Sequence, residues 1–194
     1  VHAHARRPAR AVHRATDSIT QPASHAPRRA AGDAAFNAAR LKTDYYTPAV
    51  HRAAFALPAW IEAFNAERRV EAKFGATWER LRESVIYDAV QGPDDAPGEE
   101  TGLGLGRTFP RKITGGGDKI ASKFYTAFDN SPFSAAFLGE FAERAVREEK
   151  LGHHPATDLL CVSFSQIDVV GHSYGPDSHE IMDSVLRLDR VIAS

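Results

Sequence analysis

At 194 residues, with 43% hydrophobic and 25% charged content, the chain has enough apolar material for one sizeable core, which excludes intrinsic disorder as its overall description. The formal net charge of −1 hides an asymmetry, because residues 1–30 hold six arginines against Asp17 alone, a surplus of +5 that leaves −6 for the remainder. That basic end contains no apolar run of seven residues, so it is neither a signal peptide nor a membrane span.

Residues 1–42, rich in Ala, Arg, His and Pro, read as a disordered or non-native segment, the kind of text that out-of-frame translation of GC-rich DNA produces. They lack interleaved aromatics and any nucleic-acid motif, so no nucleic-acid partner is expected. Leu57 to Asn65 predicts a short helix with Pro58 near its first turn and Trp60, Ile61 and Phe64 facing inward. Trp78 and Leu81, three apart among charged residues, predict a second short helix over Thr77 to Glu83. Both resemble cap elements more than a sheet.

Residues 91–119 are punctuated by Gly92, Pro93, Pro97 and Gly98 and by two glycine-rich stretches, and they read as a flexible surface loop. Gly102, Gly104 and Gly106 have the wrong spacing for a dinucleotide fingerprint, and Gly115-Gly116-Gly117-Asp118-Lys119 is not a phosphate-binding loop. From Ser131-Pro132 the pattern strengthens. Phe137, Leu138, Phe141, Ala142, Ala145 and Val146 recur at helical spacing until Gly152 stops them.

Asp158 to Ser165 is a near-continuous apolar run, the pattern of a strand buried on both faces of a parallel sheet. Cys161, the single cysteine, lies inside that run and reads as a buried structural thiol, and no intramolecular disulfide is possible. After it, Asp177-Ser178-His179-Glu180 predicts a capping box, with Ile181, Val185, Leu188 and Ile192 lining one face of a closing helix. Helix, buried strand, loop and helix together imply an α/β architecture.

The chemistry concentrates in Ser165 to Asp177. Asp168 and His172, four residues apart just beyond the predicted strand, sit where ligands bind in open α/β sheets, and Gly171 supplies freedom for a bend that aims both at one ion. The pair provides only two donors, whereas a zinc site needs at least three protein ligands. The bland alternative makes Asp168 a turn cap and His172 a solvated or hydrogen-bonded loop residue. Gly171-His172-Ser173-Tyr174-Gly175 also fits the Gly-x-Ser-x-Gly elbow of serine hydrolases, with Ser173 as nucleophile. That reading lacks an upstream His-Gly oxyanion motif and has only about one helix after Ser173 from which to draw its acid and base.

The run from Asp158 to Glu180 resembles the zinc-binding segment of the alkaline phosphatase superfamily, in which Asp-x-x-Gly-His-type ligands occur. It is most similar to the type I phosphodiesterase and nucleotide pyrophosphatase branch and to the bacterial PafA-type alkaline phosphatases. The likeness continues upstream through Ser131-Pro132-Phe133, Glu149 to Gly152, and Tyr45-Tyr46-Thr47-Pro48 to Phe64-Asn65, so it spans about residues 43–194 and leaves residues 1–42 unmatched.

The resemblance implies part of an α/β/α sandwich with a buried parallel strand, flanking helices and cap-like helices. It makes Asp168 and His172 ligands of one zinc in a two-zinc phosphate-ester hydrolase acting on small phosphate esters. In such enzymes one ion activates a Thr or Ser nucleophile and the other stabilises the leaving oxygen. His179 falls outside the ligand positions and is expected to be exposed, His153 and His154 to be solvated loop residues, and Ser173 a loop serine. The nucleophile and a second Asp-His pair with a further His are not found in this chain. The expectation is therefore an internal fragment of a zinc phosphatase or phosphodiesterase, inactive as written, from a periplasmic or secreted parent. A serine hydrolase and a non-catalytic interaction domain are the alternatives.

Overall fold

In the computed structural model of the chain, residues 58–99 and 103–194 are described. The basic segment 1–42 and the aromatic start at Tyr45 to Pro48 lie outside the described residues.

Helix α1, Ala59–Ala66, forms where expected. Pro58 precedes it with φ −56°, a torsion the proline ring presets at no cost in hydrogen bonding, since the first helical N–H groups have no partner anyway. Ile61 and Phe64 are buried, and the Trp60 ring packs tilted against Phe141 at 5.2 Å while its Nε1 donates to Glu149 at 2.8 Å. A single 3-10 turn, Glu71–Lys73, follows.

The predicted helix over Thr77 to Glu83 is not formed. Thr77–Trp78 is instead strand β1, paired antiparallel with β2, Arg111–Lys112, so that Trp78 faces Arg111 across the ladder. Flanking bonds from Ile113 N to Ala76 O and from Gly75 N to Ile113 O extend the pairing at 2.8 and 2.9 Å. A β-branched residue followed by an aromatic one suits a pleated surface, and tertiary pairing overrides the weak three-residue spacing. Helix α2, Ser84–Gln91, which the sequence did not announce, begins six residues beyond Trp78 and buries Tyr87.

The described residues of 91–99 and 103–119 are poor in regular structure, as expected, but they are not a loose surface loop. Glu99, Leu105, Arg111 and Ile113 are buried among the described residues. Gly104 and Gly115 adopt φ of 67° and 68°, and a Cβ at either would collide with backbone, of Gly116 and Lys123 respectively. These glycines let chain segments pack backbone to backbone, a use of glycine that composition does not distinguish from flexibility.

Helix α3, Ser122–Asp129, buries Phe124, Tyr125, Ala127 and Phe128. Helix α4, Pro132–Glu148, is the amphipathic helix read from the sequence, with Phe137, Leu138, Phe141 and Ala145 inward. Phe64 meets Phe137 and Phe141 at 5.4 Å each, and Phe128 meets Phe137 at 6.2 Å, which ties α1, α3 and α4 into one aromatic core.

The buried parallel strand over Asp158 to Ser165 is not formed. The segment has no ladder, Leu159 is 80% exposed, and Cys161 is exposed rather than a buried thiol. A strand exists only against a partner, and the two strands among the described residues pair with each other. Helices α5, Gln166–Tyr174, and α6, His179–Ala193, complete the described chain, with α6 packed on α4, α5 and α2. Among the described residues this is a partial α/β fold, mostly helical with one two-stranded antiparallel ribbon.

Candidate metal-ligand pair and buried polar network

Asp168 and His172 are not on a bend beyond a strand. They lie in α5, one turn apart, because the segment after Ser165 coils into helix. Gly171 is therefore a helical residue, and the positive-φ glycine is Gly175, which ends α5 at φ 89°. Four-residue spacing on a helix still puts both side chains on one face. The Asp168 Oδ1 to His172 Nε2 separation is 3.5 Å, with the two side chains 77% and 79% exposed. A carboxylate oxygen and an imidazole nitrogen presented together to solvent form a donor set suited to zinc. No group of three or more His, Cys, Asp or Glu residues converges on one point among the described residues.

Ser173 is a helical serine, not a nucleophile on a strand-to-helix elbow, and its Oγ donates to Asn130 Oδ1 at 2.6 Å. That bond fastens α5 to the end of α3. Beside it, burial alone pushes the Asp129 carboxyl up to about 7. His153 and His154 are exposed as expected, and His154 Nδ1 lies 2.9 Å from both carboxylate oxygens of Asp158. The Asp158 carboxyl is held low by His154 and by the Gly152 N–H.

His179 departs most from expectation. It is 1% exposed, not a surface residue of the first turn. Its Nδ1 accepts from Arg80 Nε at 3.1 Å and its Nε2 donates to the Gly92 carbonyl at 2.7 Å. The N-cap of α6 is Ser178, whose Oγ accepts from Ile181 N. Glu180 makes no capping box; it is fully buried against Arg111, with Oε1 2.7 Å from the guanidinium Nε. Burial raises the Glu180 carboxyl and the Arg111 charge partly offsets that rise.

One turn further, Asp183 Oδ2 accepts from Trp78 Nε1 and from Arg187 Nε, each at 2.6 Å. Its Oδ1 accepts from Tyr87 Oη at 2.6 Å and from the Leu81 N–H at 2.7 Å. Burial, with the neighbouring Asp183 carboxylate, pushes the Tyr87 phenol up to about 12, so it stays a donor. Helix α6 thus turns His179, Glu180, Asp183 and Ser184 inward, whereas Val185 and Ile192, expected on the core face, are exposed. Sequence reasoning missed this network because isolated charged residues read as solvated by default. No local spacing signals it, because partners such as Arg111 and Glu180 lie 69 residues apart.

Comparison with known proteins places this geometry in context. The family model described as type I phosphodiesterase / nucleotide pyrophosphatase matches residues 13–194. The chain is 37% identical over 135 residues to the alkaline phosphatase PhoV of Synechococcus elongatus, covering 69% of this chain and 24% of that protein. It is 36% identical over 141 residues to a protein of Myroides odoratus named a calcium-transporting ATPase, covering 71% of this chain and 25% of that protein. The crystal structure of the alkaline phosphatase PafA superposes with a TM-score of 0.62 at 28% identity, over 72% of this chain and 26% of that one. The chain thus spans about a quarter of the length of the relatives it matches.

Proposed function

Because the chain belongs to the type I phosphodiesterase / nucleotide pyrophosphatase family, we propose that it is part of a zinc-dependent hydrolase of small phosphate esters, with Asp168 and His172 as two ligands of one zinc ion. The observation that carries this reading is the pair itself: a carboxylate and an imidazole one helical turn apart, exposed on the same face of α5. A zinc ion held there would supply Lewis-acid stabilisation of charge on a phosphoryl oxygen. The protein's contribution is placement. Helix α5 is fixed by packing on α6, by the Ser173 to Asn130 bond and by the buried ring of Tyr174, so the two donors project from a rigid surface.

Two donors hold zinc weakly, since catalytic sites use three protein ligands. The 194-residue polypeptide is therefore expected to bind zinc loosely and to turn over no phosphate ester, a further ligand and the nucleophile being needed from outside it. A periplasmic or secreted location for the complete enzyme follows from the same reading. The serine-hydrolase alternative is disfavoured by the helical position of Ser173 and by the engagement of its hydroxyl with Asn130.

The test is competition for zinc against a fluorescent chelator. Asp168→Ala and His172→Ala should each remove the weak binding of the wild-type chain, while Ser173→Ala leaves it intact. Equal binding by all three variants and wild type would sink the ligand assignment. Hydrolysis of a nitrophenyl phosphate by the purified chain, lost in Asp168→Ala, would overturn the expected inactivity.

A further inference from the structure

His179 stands apart from the proposed metal pair, and its surroundings define two alternative sets of partners. A carbonyl can only accept, so the 2.7 Å contact with Gly92 requires a proton on Nε2. The 3.1 Å bond from Arg80 Nε requires Nδ1 to be bare. The ring is therefore the neutral Nε2–H tautomer. The same Nδ1 lies 3.5 Å from Asp94 Oδ1, a buried oxygen with no hydrogen-bond partner among the described residues. The other oxygen of Asp94 is engaged, by Arg80 at 2.5 Å and by the Phe109 N–H at 2.8 Å.

We propose that His179 is a proton-operated latch that ties the start of α6 to the end of α2 and to the loop after it. With the ring neutral, Arg80 and Gly92 are both clamped to His179. A proton on Nδ1 turns that atom from acceptor to donor, so it can no longer receive the Arg80 N–H and instead bonds the waiting Asp94 oxygen. The proton comes from solvent, and apart from the new N–H no covalent bond is made or broken. Arg80 keeps its ion pair with the far oxygen of Asp94 and its stacking on Phe109 at 4.8 Å, but its Nε is released, and the loop that holds Asp94 is drawn towards α6.

The groups facing the ring set the balance. Arg80 opposes the added charge, while Asp94 and, at 3.7 Å from Nε2, Asp88 of α2 favour it. The Tyr87 ring lies 5.4 Å away and stays neutral. On α6 itself Asp183, one turn along, and Glu180, adjacent, are already committed to Trp78, Arg187 and Arg111.

Nitrogen-15 NMR of the histidine rings, combined with amide exchange at Gly92 and Phe109, reads both states in the 194-residue chain. The expected result is one ring in the Nε2–H form at pH 8. As that ring gains its proton, exchange at the two amides, corrected for the intrinsic pH dependence, should change at least tenfold. His179→Gln keeps a donor towards Gly92 and should remove the step. Asp94→Asn takes away the anionic acceptor and should move the step at least one pH unit lower, and it decides the matter alone if the glutamine variant fails to fold. A ring that titrates without altering either amide, or a midpoint unmoved in Asp94→Asn, would overturn the latch.

Discussion

Asp183 shows how much of this fold depends on single polar side chains. Its two oxygens collect bonds from Trp78, Tyr87, the Leu81 amide and Arg187, so one buried carboxylate ties β1, α2 and α6 together. Truncation would leave several buried donors unpaired. Asp183→Ala is expected to cost about 3–5 kcal/mol, measured by urea unfolding, and a loss below about 1 kcal/mol would show that water replaces the carboxylate. Asp129 acts in the opposite sense. Burial raises its carboxyl to about 7, so the folded chain binds that proton more tightly than the unfolded one. Stability is then fully present at low pH and is lost as pH rises from about 4 through about 7. Asp129→Asn should therefore stabilise the chain at pH 8, by on the order of 1 kcal/mol or more, and change little at pH 4; equal effects at the two pH values would refute the assignment.

At the scale of elements, α1 and α4 were legible because proline near the first turn and a repeating apolar stripe are local signals that packing reinforces. Helix α6 was legible as a helix but not in its orientation. The inward side follows from the partners on Trp78, Arg80 and Arg111, which lie 105, 99 and 69 residues away in the chain. The contact between α4 and α6 turns on Gly139, where an added Cβ would lie 2.5 Å from Val191 Cγ1. Valine is stiff at χ1 and cannot swing aside freely. Gly139→Ala is expected to cost about 1–3 kcal/mol in spite of alanine's better helix propensity, and adding Val191→Ala should recover most of that loss. Thermal unfolding of both variants measures it. An unchanged or higher melting temperature in Gly139→Ala alone would mean that the helices separate at little cost.

For the molecule as a whole, the core is well filled by aromatics, yet Val85, Ile86 and Val90 of α2, Leu159, and Val185 and Ile192 of α6 remain exposed. Exposed apolar surface of this kind promotes dye binding and association. The purified chain should bind a hydrophobic dye while folded, and Leu159→Ser with Val185→Ser should reduce the signal without lowering stability by more than about 0.5 kcal/mol. Undiminished dye binding would place the apolar surface elsewhere. The family, helices α1, α4 and α6 and the four-residue spacing of Asp168 and His172 were legible in the sequence itself, because a motif and a helical period are properties of neighbouring residues. Only the tertiary structure decided that residues 158–165 stay outside a sheet, that the glycine-rich stretch is closely packed, and that His179, Glu180 and Asp183 are buried. Each of those outcomes depends on a partner distant in the chain: a strand to complete a ladder, a backbone to approach a glycine, or a countercharge to make burial of an ionisable group tolerable.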